Sequence, residues 1–137
     1  MASDPQFPIA GNLTIAAPLT AANTALDGTG TSAIIGTAGS SGAYLYSVKA
    51  FPSGDNSGSG VSTIRIFLNN GSATSDSANN ILIAEGAVIG AGVAHDIVNL
   101  PLHVNINMRI PANWRVLVVL AKAQAGGWKF FPVMEDI

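Results

Sequence analysis

Residues 61–68 read VSTIRIFL, and this stretch decides the fold class. Ile64 and Ile66 fall on one face of an extended chain, while Thr63 and Arg65 fall on the other. Alternation of apolar and polar side chains with a period of two is typical of an antiparallel strand that buries one face. The stretch therefore predicts a half-buried strand in an antiparallel sheet.

Similar patterns recur along the chain, and no segment shows a sustained helical period of apolar residues. Residues 95–106 alternate, with Leu102 and Val104 on one side and His103 on the other. Residues 116–121 are apolar on both faces, which suits a strand in the middle of a sheet or at an interface. The chain is therefore predicted to be all-β, an antiparallel, jelly-roll-like β-sandwich of eight strands. We place its candidate strands at residues 12–17, 32–37, 43–51, 61–68, 80–89, 95–106, 113–122 and 127–134.

Residues 1–11 precede the first candidate strand and include Pro5 and Pro8. We expect them to form an extended N-terminal arm, followed by a single β-sandwich domain over residues 12–137. Such an arm is either disordered or ordered by a neighbouring subunit.

The chain of 137 residues is poor in charge, with 10% charged residues against about 25% in a typical soluble domain. Hydrophobic residues make up 48%, and the mean hydropathy is +0.39. Its surface is either built from small polar and apolar residues or buried in an oligomer or larger assembly. We favour assembly, because free monomers seldom expose large apolar patches.

Several classes of protein are excluded by the same composition. A net charge of −2 with six Lys and Arg offers no basic patch for nucleic acid. The longest apolar run, residues 116–121, is far shorter than the ~20 residues of a membrane-spanning helix. The start of the chain has no basic stretch and so does not resemble a signal peptide. We expect no membrane partner and a protein that is made, or assembled into something larger, in the cytoplasm.

The search for catalytic chemistry yields nothing specific. No cysteine is present, and residues 39–42 (GSSG) do not form the motif of a nucleophilic serine. Asp55, Asp76 and Glu85 could contribute to a calcium site, but their spacing matches no known ligand pattern. An enzyme built from such scattered acids would need carboxylates that converge in a concave pocket. We expect no catalytic residue, no cofactor and no metal, and hence a protein that is not an enzyme.

Aromatic residues are the better candidates for contacts. Trp114 and Trp128 could form a platform for sugars, although core or interface positions are more common for tryptophan. Phe130 and Phe131 are adjacent on one candidate strand and point to opposite faces, so that one ring should lie outside the main core. Our predicted partner contacts are Phe7, Pro8 and Ile9 in the arm and Trp128, Phe130 and Phe131 near the C-terminus.

Five phrases of the chain are considered together, in the order TAANTALDGTGT (20–31), RIFLNNGS (65–72), NNILIAE (79–85), IPANWR (110–115) and AGGW (125–128). Their order resembles that in a group of small virion-associated proteins of tailed phages and prophages. In that group the phrases read approximately TANTAxDGTGT, a strand with Arg running into an Asn/Gly/Ser loop, NNxLxAE, lPAGyk and AAGW. The present chain has Asn113-Trp114 where the group has Gly-Tyr, and neither its arm nor residues 131–137 belong to the match.

The resemblance implies a structural protein of a phage virion that decorates or cements the capsid by bridging neighbouring shell subunits. Its partner would be the major capsid protein, its location the capsid surface, and its oligomeric state that of a closed ring, with a trimer the natural guess. No functional residue is implied by the resemblance. The alternative is a tail- or fibre-associated or carbohydrate-binding β-sandwich module, for which Trp114 or Trp128 should be exposed to solvent.

Overall fold

The computed structural model describes residues 9–10, 12–13, 16–88 and 102–137, with side chains described from residue 16 onward. Within these ranges the only helical element is a 3-10 turn at Ser77–Asn79. The strands are β1 (Ile9–Ala10), β2 (Asn12–Leu13), β3 (Ala33–Thr37), β4 (Ala43–Pro52), β5 (Ser62–Asn69), β6 (Asn80–Val88), β7 (Leu102–Ile110), β8 (Arg115–Leu120) and β9 (Trp128–Asp136).

These strands form two sheets in which all neighbouring strands are antiparallel. The four-stranded sheet has the order β1-β9-β4-β7, and the five-stranded sheet has the order β2-β3-β8-β5-β6. With β1 and β2 counted as one strand that is split between the sheets, this is the strand order of an eight-stranded jelly roll. The prediction of an all-β antiparallel sandwich is confirmed.

The main core lies between the two sheets. Leu45 and Val48 of β4 belong to the same buried cluster as Ile64 and Ile66 of β5. At one edge of the sandwich β6 comes very close to β7, since a Cβ atom on Gly86 would lie 2.9 Å from Cγ2 of Val104. A glycine is therefore required where the two edge strands meet, because a larger residue would push the sheets apart.

Strand β8 occupies the middle of the five-stranded sheet, between β3 and β5. Val116 and Val118 belong to the main core, whereas Leu117 and Val119 form a second buried cluster on the outward face together with Phe67. The prediction that residues 116–121 are apolar because both faces of the strand are buried is confirmed.

The strand predicted at residues 95–106 extends further toward the C-terminus than predicted. It is β7, which ends at Ile110, and its burial alternates as predicted, with His103 and Asn105 exposed. The strand continues through Asn107, whose φ of 55° marks a bulge opposite Tyr46 in β4. Residues 95–101 lie outside the described ranges.

The N-terminal strands are shorter than predicted. The strand predicted at residues 12–17 is only the two-residue β2, and residues 16–17 lie outside any strand, while residues 14–15 lie outside the described ranges. Of the predicted arm, Ile9 and Ala10 form β1, whose backbone pairs with Asp136 and Glu135 of β9. Residues 1–8 and residue 11 lie outside the description.

Candidate functional site

The two sheets differ in what covers their outward faces. On the five-stranded sheet, Phe67, Leu117 and Val119 point outward and yet are at most 1% exposed. Residues 20–31, here called the covering segment, lie over this face, since a Cβ atom on Gly28 would sit 3.1 Å from Cδ1 of Phe67. We call this side of the sandwich the closed face.

Asn23 holds the covering segment together. Its side-chain amide donates to the carbonyl oxygens of Thr29 (2.7 Å) and Thr31 (2.8 Å), and its Oδ1 accepts from the backbone N–H of Ala25 (3.0 Å). Its own backbone N–H donates to the carbonyl oxygen of Leu120 at the end of β8 (2.6 Å). The side chain of Asn23 thus closes the loop, and its backbone N–H ties the loop to the sheet. The buried amide is fully hydrogen-bonded, as polar groups in protein interiors generally are.

A turn at Asp27 completes the covering segment. The Asp27 carboxylate accepts from the Thr29 hydroxyl (2.6 Å) and from the Thr29 backbone N–H (3.0 Å), and these bonds hold the pKa of Asp27 below its usual value. Gly28 and Gly30 have φ values of 79° and 83°, a conformation that glycine adopts without strain. The turn predicted at residues 27–30 is confirmed, and glycine is needed at positions 28 and 30 because both have a positive φ.

The outward face of the four-stranded sheet is different, and we call it the open face. Phe131, Phe51 and Tyr46 are 45%, 42% and 39% exposed on it, so no described segment buries this face. Its aromatic and charged side chains, on β4, β7 and β9, are Tyr44, Tyr46, Lys49, Phe51, His103, Arg109, Lys129, Phe131 and Glu135.

The register of β4 and β9 arranges two lysines and two phenylalanines in a checkerboard. Lys49 lies directly opposite Phe131, and Phe51 lies directly opposite Lys129. Directly opposite residues share a face, with Cβ atoms about 4.5–5.5 Å apart. His103 of β7 lies opposite Lys49 on the other side and extends this row. We call Lys49, Phe51, Lys129 and Phe131 the Lys–Phe quartet.

A tyrosine pair lies at the other end of the open face. The rings of Tyr44 and Tyr46 are tilted against each other, with centroids 4.6 Å apart. The Tyr46 hydroxyl donates to the Glu135 carboxylate, and this hydrogen bond is the main reason that the pKa of Tyr46 is raised. A bulge in β4 at Tyr46, where the register with β9 shifts, changes the alternation of the strand, so that Lys49 and Phe51 lie on the same outward face as the two tyrosines.

The open face carries positive charge on an acidic chain. Three bases (Lys49, Arg109 and Lys129) and one acid (Glu135) lie on it, so its formal charge is 3 − 1 = +2, whereas the whole chain carries −2. Among the described residues the only ion pair joins Arg65 and Glu85 on the other sheet, at 3.0 Å. The lysines of the open face therefore have no described carboxylate as a partner.

The predicted contact residues fall into three groups. Phe131 is exposed and Phe130 is half-buried against the main core, so the prediction that the two rings lie on opposite sides is confirmed. Trp128 is 3% exposed and belongs to the core, where its indole N–H donates to Oε1 of Gln124 (3.2 Å). Of the arm residues, Ile9 lies in β1, and Phe7 and Pro8 lie outside the described ranges. That any of these residues contacts a partner stays a prediction.

Sequence reasoning missed most of the quartet, although a signal was present. Residues 49–51 (KAF) and 129–131 (KFF) both read Lys-x-Phe. Two such triplets on adjacent antiparallel strands place each lysine beside the phenylalanine of the other strand when the register is the one observed. The register is a long-range property, so the triplets alone could not identify the surface.

The three acids considered for a calcium site, Asp55, Asp76 and Glu85, each bind a different partner within the chain. Asp55 accepts from the backbone N–H of Ser57 (2.9 Å), which lowers its pKa, and Asp76 accepts from the backbone N–H of Ala78 (3.0 Å). Glu85 is bound to Arg65. In the described part of the chain no three His, Asp or Glu side chains are grouped so that they could hold a metal ion.

Comparison with known proteins adds no relative: no family model, no curated protein and no solved structure matches the chain. In the ranges that the structure describes there is no helix of sufficient length and apolar character to cross a membrane.

Proposed function

We propose that this chain is a non-enzymatic structural protein of a phage virion, which decorates or cements the capsid by bridging neighbouring shell subunits. The partner is the major capsid protein, and the chain acts at the capsid surface after assembly in the host cytoplasm as a homo-oligomer, for which we propose a trimer. A protein that binds only the assembled shell stabilises it by mass action, so no chemical step is needed.

The observation that carries the proposal is the contrast between the two outward faces. The closed face is buried by the covering segment, whereas the open face exposes Phe51 and Phe131 beside lysines that have no carboxylate partner among the described residues. Exposed aromatic rings are typical of surfaces that bind another protein, and charges beside such rings contribute to the choice of partner. The proposal thus rests on a surface and not on a pocket.

The resemblance to small phage virion proteins supports the same proposal. The phrase at residues 20–31 forms the covering segment, and Asn80, from the phrase at residues 79–85, packs against Gly28. The phrase at residues 125–128 ends in the buried Trp128. The phrases that resemble the phage group therefore include residues that build this sandwich.

The copy number of the chain in purified phage particles tests this proposal. Particles from a lysate of the phage that encodes the chain are quantified by mass spectrometry against the major shell protein. Hundreds of copies per particle are expected, because a cement protein occupies sites that repeat over the whole shell. Absence from the particle contradicts the proposal, and a dozen copies or fewer assigns the chain to the tail, collar or fibre.

The carbohydrate-binding alternative receives less support. It requires an exposed tryptophan, but Trp128 is buried and Trp114 is half-buried against the main core. A glycan array with the purified chain separates the two functions. Binding to a defined glycan would revive the alternative, and it would have to act through the tyrosine and phenylalanine rings of the open face.

A further inference from the structure

The Lys–Phe quartet is a small surface whose two lysines form no ion pair with any carboxylate in the described ranges. Lys49 and Lys129 are diagonal neighbours in the sheet, with their backbone positions about 7–8 Å apart, as are Phe51 and Phe131. The two ammonium groups therefore extend from one small patch, and like charges repel each other unless an anion lies between or beside them. His103 lies opposite Lys49, whereas Arg109 lies opposite Tyr44 at the far end of the open face.

Each described Asp and Glu side chain already accepts a hydrogen bond from another residue of the same chain. Glu85 is bound to Arg65, and Glu135 accepts from Tyr46. The remaining described carboxylates accept backbone N–H bonds in turns and at a strand end, namely Asp27 from Thr29, Asp55 from Ser57, Asp76 from Ala78 and Asp136 from Gly39. A described carboxylate of a second copy would thus have to bind the quartet in addition to the hydrogen bond that it already accepts within its own chain.

From these observations we infer that the quartet docks an acidic segment of the shell protein, in which carboxylates flank an apolar side chain. The carboxylates pair with Lys49 and Lys129, and the apolar side chain packs between the rings of Phe51 and Phe131. This inference rests on the proposed function and adds to it the place of contact and the chemistry of the partner. The lysine stems and the rings supply apolar area, while the ammonium groups select for negative charge.

Charge reversal at the quartet tests the inference. Particles from a phage that lacks the gene are incubated with purified chain, and the bound chain is measured by co-sedimentation. The double variant Lys49→Glu/Lys129→Glu should bind at least about tenfold more weakly than the wild type, since two favourable charge pairs become repulsive. The matched control is Lys122→Glu, which reverses an exposed lysine in the turn after β8 and should bind within about twofold of the wild type.

A second variant removes one aromatic ring of the quartet without changing the charge of the quartet. Phe131→Ser should reduce binding by about tenfold or more, as expected for an aromatic anchor, whereas Val61→Ser, at a residue that is 60% exposed outside the open face, should not. Circular dichroism and the urea midpoint of each variant verify that it is folded. Binding of the wild type should also weaken as salt is raised, because salt screens exposed charges.

The outcomes separate failure of the inference from failure of the proposed function. If the wild type does not bind the particles at all, the proposed function fails. If the wild type binds and the double variant binds equally well, the function stands and the inference is overturned. If the quartet variants change the oligomeric state of the free chain in analytical ultracentrifugation, the quartet is an interface between copies, which also overturns the inference.

Discussion

The two outward faces of this sandwich differ in whether their large apolar side chains are covered by another segment of the described chain. On the closed face, Phe67, Leu117 and Val119 are buried under a segment of the chain itself. On the open face, Phe51 and Phe131 occupy equivalent outward positions and remain about half exposed. Both faces carry large apolar side chains, but only one of them is covered by the described part of the chain.

The charges follow the same division. Arg65, on the closed face, has its carboxylate partner Glu85 at 3.0 Å. Lys49 and Lys129, on the open face, lie beside phenylalanine rings and have no acid within ion-pair distance in the described structure. Under the proposed function, the closed face serves the stability of the domain and the open face is the surface that contacts the partner.

The sharpest test of this division compares two phenylalanines. Phe67→Ala should lower the free energy of unfolding by about 3–5 kcal/mol, because it leaves a cavity under the covering segment. Phe131→Ala should lower it by about 1 kcal/mol or less, since half of that side chain is already in water. Urea unfolding measures both, and equal losses would show that the two faces do not differ.

The covering segment can be loosened without touching the apolar cluster. Asn23→Ala removes the donor to two carbonyl oxygens and the acceptor of one backbone N–H, so it should lower the free energy of unfolding by about 2–3 kcal/mol. It should also accelerate thermolysin cleavage near Leu26. The control is Asn70→Ala, whose exposed side chain bonds Asn79, and which should lower the free energy by less than about 1 kcal/mol. An unchanged cleavage rate in the Asn23 variant would mean that another contact holds the segment.

The smallest expected effect concerns the tyrosine pair of the open face. The chain has two tyrosines, and the hydrogen bond to Glu135 raises the pKa of Tyr46. The stabilising effect of this bond is present below the ordinary tyrosine pKa of about 10 and is lost as the pH rises through the higher pKa of the folded state. Spectrophotometric titration should show one tyrosine that ionises late, and Tyr46→Phe should remove that late step. If Tyr44→Phe removes it instead, the hydrogen bond is assigned to the wrong ring.

Local patterns in the sequence predicted most of the sandwich. The predicted strands at 43–51 and 61–68 agree with β4 and β5 to within one residue at each end, because runs rich in β-branched and aromatic residues are bounded there by turns rich in Gly, Ser and Asn. The predicted end of β7 at residue 106 is four residues early, since the strand continues through the bulge at Asn107 to Ile110. Its burial alternates as predicted from Leu102 to Ile106.

The open face could be predicted only in part. The opposite orientation of Phe130 and Phe131 follows from strand geometry, whereas the pairing of Lys49 with Phe131 depends on a register between strands that are far apart in the sequence. The burial of Trp128 could not be predicted from the sequence around it either. Nothing local distinguishes an exposed indole from a buried one, and its place in the core follows from Gln124 and from the strand it begins.

Cysteine footprinting on the particle tests the central claim most directly, and the absence of native cysteine makes it clean. Phe131→Cys reports on the open face, and Leu26→Cys, at a residue that is 70% exposed in the covering segment, reports on the opposite side. We expect a thiol reagent to modify both variants in the free chain, and only Leu26→Cys when the chain is bound to particles. Protection of Leu26→Cys with continued labelling of Phe131→Cys would contradict the assignment of the open face as the contact surface.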